Sequence, residues 1–102
     1  MPIEQFIPEI EPEWEAEAGF FWRIREGDFR RSECDRALAK IAALPSASGQ
    51  PMPQRLVSVL WYIPVFMHWQ LERVRERGGS ISEYTTAMNE LTAEVERILG
   101  VP

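Results

Sequence analysis

Residues 54–77, QRLVSVLWYIPVFMHWQLERVRER, are followed by Gly78-Gly79 and then by residues 80–99, SISEYTTAMNELTAEVERIL. The first stretch is apolar on almost every side between Leu56 and Trp69, and a helix of that kind must be covered on most of its surface. Leu71 and Val74 carry the apolar stripe into its polar second half, and Pro64 removes one backbone hydrogen bond, which predicts a kink. In the second stretch Tyr84, Met88, Leu91, Val95 and Ile98 step by 4, 3, 4 and 3 residues. That is a continuous helical seam, opened by a Ser80/Glu83 capping-box spacing and ended by Gly100. The Gly-Gly turn is short, so the two stretches are expected to form an antiparallel helix pair.

Working toward the N-terminus, PSASGQPMP at residues 45–53 consists of turn formers and reads as a flexible loop. Residues 32–44 predict another helix, with Ser32 and Asp35 near capping-box spacing and Pro45 as its stop. Cys34, Ala37, Leu38, Ile41 and Leu44 form its apolar stripe. Residues 13–26, EWEAEAGFFWRIRE, fit two periods. Trp14, Ala18, Phe21 and Arg25 share a helical face, whereas Phe20, Trp22 and Ile24 alternate as a strand would. A strand would have only the proline-broken N-terminus to pair with, so a helix ended by Gly27 is the expectation. Residues 1–12 contain Pro2, Pro8 and Pro12 and read as an extended acidic arm pinned by Ile3, Phe6, Ile7 and Ile10. The fold class expected is therefore all-α: a single domain over residues 1–102, built as a small bundle of three to four helices with an extended N-terminal arm.

Composition narrows the chemistry. The chain has 102 residues, 45% of them apolar, enough for one core. Its net charge of −5 is concentrated: Glu4, Glu9, Glu11, Glu13, Glu15 and Glu17 precede any basic residue. The rest of the chain holds 11 basic and 10 acidic side chains. Such a segment repels phosphate backbones and attracts basic surfaces. The arginines, Arg23, Arg25, Arg30, Arg31 and Arg36 and then Arg73, Arg75 and Arg77, are diluted by acids, unlike the basic stripe of a nucleic-acid binder. No direct nucleic-acid contact is expected. The longest apolar run, Leu56–Trp69, falls short of the roughly 20 residues of a membrane span, and the N-terminus lacks the basic and apolar regions of a signal peptide. A lone cysteine excludes an intrachain disulfide and fits a reducing, cytoplasmic compartment.

Candidate chemistry is sparse. His68 and Glu72 sit one helical turn apart, but no second histidine accompanies them, so His68 is read as a residue at the edge of the core. Cys34 falls on an apolar stripe and is read as a small core hydrophobe. No phosphate loop, zinc signature or nucleophile motif is present, so neither a cofactor nor a metal nor enzymatic activity is expected. Instead, Glu9, Glu11, Glu13, Glu15 and Glu17 interleave with Ile10 and Trp14 as a contact surface would.

With those glutamates and a small helical body behind them, the chain resembles bacterial immunity proteins of polymorphic-toxin and contact-dependent-inhibition systems. These neutralise toxins, nucleases among them, that neighbouring cells deliver. The resemblance implies a basic protein partner, a toxin domain, whose active site the acidic side chains would cover. Glu9, Glu11, Glu13, Trp14 and Glu17 would be the partner-binding residues, with Glu13 and Glu17 as charge anchors and Trp14 as hot spot. The competing expectation is a self-assembling structural or regulatory module. A long apolar helix in so small a chain is hard to cover, and a homodimer would complete its core.

Overall fold

Apolar spacing, capping and glycine stops decide where the helices of this chain begin and end. The computed structural model describes residues 3–46 and 49–102. Pro2 of the expected arm, and Ala47 and Ser48 of the expected 45–53 loop, lie outside the described residues. A 3₁₀ turn, Ile3–Phe6, leads into α1 (Ile7–Glu15), followed by α2 (Phe20–Ile24), α3 (Arg31–Ala42), α4 (Gln54–Trp69), α5 (Leu71–Glu76) and α6 (Ile81–Leu99). Among the described residues the fold is all-helical, with no strand. No helix among them is long and apolar enough to cross a membrane.

The extended arm is the main correction. Residues 3–15 are helical because Pro8 occupies the first turn of α1, where an N–H has no intrahelical partner to lose. Pro12 does cost one hydrogen bond inside α1, but Ile10 and Trp14 on the same helix are buried, and their packing offsets it. The 13–26 segment is helical in type, as expected, but it is not one helix. Chain reversal at residues 16–19 splits it, and the face proposed for Trp14, Ala18, Phe21 and Arg25 does not exist. At that reversal a Cβ on Gly19 would stand 2.4 Å from the Pro12 carbonyl oxygen and 2.5 Å from that of Glu13. Only glycine lets α2 start so close to the end of α1.

α3 begins one residue early, at Arg31, and without a side-chain cap. Asp35 pairs with Arg31 at 2.9 Å instead of completing a capping box with Ser32. α4 runs through Pro64 without interruption, and the break comes at Gln70, where α5 starts. The break leaves last-turn carbonyls of α4 to be satisfied from elsewhere. The buried Tyr84 hydroxyl of α6 donates to the Met67 carbonyl at 2.6 Å. α5 closes in a Schellman cap: Gly79 N–H donates to Val74 C=O and Gly78 N–H to Arg75 C=O, with Gly78 at φ +81°. The Ser80 hydroxyl then accepts from the Glu83 N–H, as the capping-box spacing predicts. α6 folds back antiparallel on α4, so that Met88 and Thr92 lie beside His68 and Pro64.

One cluster of buried side chains draws on every α-helix, from Ile10 and Trp14 through Cys34 and Ile41 to Leu60, Val74, Leu91 and Ile98. The molecule measures 41 × 29 × 19 Å along its principal axes. Its short axis is about two helix layers thick. α4 is covered over most of its surface, as its apolar run predicts, but a two-layer slab leaves one strip of it uncovered. Leu56, Val59, Leu60, Ile63, Phe66 and Met67 are buried, Val57, Ser58, Tyr62, Pro64 and Val65 are half-buried, and Trp61, His68 and Trp69 form an exposed strip.

Candidate interaction surface

The exposed strip of α4 is aromatic. Trp61 and Trp69 are 52% and 64% exposed, large values for indole side chains. Val65 lies between them, one helical turn from each, so the three form a ridge at i, i+4 and i+8. Tyr62 packs against both tryptophans, at ring-centroid distances of 5.6 and 6.1 Å. His68 is exposed on the same face, beside Pro64, Val65 and Met88. Among the described residues no three His, Cys, Asp or Glu side chains come together as metal ligands would.

Two grooves flank the ridge. On the α6 side Pro64, Val65, His68, Trp69, Met88, Asn89 and Thr92 line an open depression of about 470 Å³. On the α1–α2 side Trp22, Tyr62, Ser58, Arg25 and Arg55 line a second, of about 290 Å³, floored by Trp14. The Arg25 guanidinium lies 5.6 Å from the Trp22 ring and 5.9 Å from that of Phe66. Each of the other Lys and Arg side chains except Arg73 and Arg77 has a carboxylate within ion-pair distance. Arg25, Arg73 and Arg77 have none among the described residues. Arg73 and Arg77 donate to the backbone carbonyls of Arg25 and Glu26, at 2.6 and 3.1 Å, which ties α5 to the end of α2.

The acidic residues singled out by sequence are dispersed. Glu13 is not on a solvated turn: it is 2% exposed. Its Oε1 accepts from the Phe20 N–H at 3.0 Å and from Arg36 at 2.7 Å, and its Oε2 accepts from Arg36 at 2.9 Å and Lys40 at 2.8 Å. Burial pushes this carboxyl up, but the hydrogen bonds from Arg36, Lys40 and Phe20 outweigh it and hold it down at about 2. Glu13 thus ties α1 to α2 and α3 and is not available as a charge anchor. Trp14 is also buried, stacked on Phe21 at 4.3 Å, with its indole N–H donating to the Val59 carbonyl at 3.0 Å. It is a core residue and does not present a hot spot. Glu11 and Glu15 both pair with Arg55, at 2.5 and 2.7 Å. Glu4, Glu9 and Glu17 remain exposed with no cation at ion-pair distance among the described residues.

Cys34 is fully buried, and burial pushes its thiol up to about 11, as befits the core residue expected from its stripe. Sequence reasoning reached an incompletely covered α4 only through the competing homodimer expectation and did not single out the Trp61–Val65–Trp69 ridge as a site. The signal behind that expectation was excess: more large apolar side chains around one helix than a chain of this length can readily cover. Family models, curated proteins and solved structures gave no match to this chain.

Proposed function

We propose that this chain is a non-enzymatic protein-binding module whose contact surface is the open face of α4. The observation that carries this reading is the exposure of Trp61 and Trp69 on either side of Val65, with Tyr62 and Arg25 beside them. Tryptophan, tyrosine, methionine and arginine are the side chains enriched at protein interfaces. Here they sit on a rigid helix next to concave ground, the arrangement in which hot spots concentrate. The test is a photo-crosslinking amino acid placed at position 61 or 69 in the native cell, with exposed Ala93 on α6 as control. Discrete covalent protein adducts from 61 and 69, and none from 93, are expected. An absence of adducts from both tryptophan positions would overturn the reading.

A second reading keeps the partner basic and the mode immunity-like, a cytoplasmic protein blocking a toxin domain. It is supported by the exposure of Glu4, Glu9 and Glu17, which have no cation at ion-pair distance among the described residues. Such charges steer encounter over about 8 Å at physiological salt. Changing Glu9 and Glu17 together to Gln should slow association with a basic partner and flatten its salt dependence. Unchanged kinetics at two ionic strengths would remove this reading and leave the first intact.

A further inference from the structure

We infer that the occupant of the α4 face is a second copy of this chain, seated antiparallel across a twofold axis that passes by Val65. This rests on the reading of that face as a contact surface. An isologous contact needs a surface that complements itself, residue 65−n meeting residue 65+n of the partner. Trp61 and Trp69 satisfy that condition: each lies four residues from Val65, about 6 Å along the helix, on the same ridge. In this register Trp61 of one copy meets Trp69 of the other, at the rim of the open groove that Met88 and Thr92 line between α4 and α6. Each copy therefore supplies one ring to each of two symmetric contacts.

Charge fixes the direction. Arg55 lies ten residues before Val65, about 15 Å along the axis, and gathers Glu11 and Glu15, with Glu9 exposed on the same helix. Arg73, Arg75 and Arg77 lie at a similar distance beyond it and outnumber the neighbouring Glu72 and Glu76, so that end carries a small net positive charge. Antiparallel seating brings the acidic end of one copy toward the basic end of the other, at two symmetric places. Parallel seating would set glutamates against glutamates and arginines against arginines.

Disulfide trapping tests both occupant and direction in the full chain, since its only native thiol, Cys34, is buried. Val65→Cys should crosslink to itself on mild oxidation, whereas Ala93→Cys should not. A mixture of Trp61→Cys and Trp69→Cys should give the mixed dimer in preference to either homotypic one, because two copies of position 61 would stand about 12 Å apart, beyond disulfide reach. Sedimentation equilibrium should find a dimer that Trp61→Ala with Trp69→Ala weakens by roughly 30-fold or more, with the circular-dichroism spectrum unchanged. Homotypic crosslinking at 61 as strong as the mixed product would overturn the antiparallel seating. A wild-type chain that sediments as a monomer, with no Val65→Cys crosslink, would overturn the second copy as occupant. In that event photo-adducts of another mass at position 61 would still support the face as a contact surface, and a lack of any adduct would remove both.

Discussion

Replacing Glu13 with Gln leaves Arg36 and Lys40 facing a buried neutral amide. Breaking a buried pair costs roughly 3–5 kcal/mol, and because both cations are partly exposed, 43% and 30%, a loss near the low end, about 3 kcal/mol, is expected. The carboxyl is held at about 2, below its ordinary 4.5, so its contribution is fully present above pH 4.5 and is lost as pH falls from there toward 2. Denaturant midpoints of wild type and Glu13→Gln should therefore be well separated at neutral pH and converge in acid. Tyr84→Phe makes a different kind of hole. It removes the donor to the Met67 carbonyl, and a buried acceptor left without a partner costs about 1–3 kcal/mol. Unfolding midpoints equal to wild type would mean that water reaches that carbonyl.

At the scale of elements, α1 and α2 are joined through a point of backbone contact. Gly19→Ala drives a methyl group into two carbonyl oxygens, neither of which belongs to a flexible side chain, and overpacking of this sort costs about 1–3 kcal/mol. A lowered thermal midpoint is expected. Leu60 of α4 and Leu91 of α6 are both fully buried, and truncating either to Ala should cost about 2–5 kcal/mol. What the sequence disclosed follows from how local each determinant is. The pairing of α4 with α6 was legible because its seam, its Ser80 cap and its Gly78-Gly79 stop are all written in neighbouring residues. α1 was misread because prolines were counted as breakers without asking whether the first turn needed their N–H. Yet Ile7, Ile10 and Trp14 step by 3 and 4, and the same spacing puts Glu13 on their inward side. Burial of Glu13 depends on Arg36 and Lys40, more than 20 residues away, and no local pattern announces that pairing.

At the scale of the whole molecule, internal pairing redraws the charge map. Glu11, Glu13 and Glu15 are matched by Arg55, Arg36 and Lys40, so the acidic segment presents far less free charge than its composition promises. Among the described residues Arg25, Arg73 and Arg77 have no carboxylate at ion-pair distance, and Glu4, Glu9, Glu17, Glu26, Glu76, Glu83 and Glu96 have no cation there. Arg25 borders the exposed strip of α4. If two copies meet there, association stabilises the folded state by mass action. The thermal midpoint of the wild-type chain should then rise with protein concentration, and that of the Trp61→Ala, Trp69→Ala double variant should not.

The uneven placement of the indoles has an optical consequence. Trp14 is enclosed and stacked on Phe21, Trp22 is half-buried, and Trp61 and Trp69 stand largely in water. Emission from the native chain is therefore a mixture of shielded and hydrated rings, of which a dissolved quencher such as iodide reaches mainly the last two. Covering the α4 face should protect those rings and shift the spectrum to the blue. Melting the core should hydrate Trp14 and shift it to the red. Docking and unfolding thus move one intrinsic signal in opposite directions, and both can be followed in the same unlabelled sample.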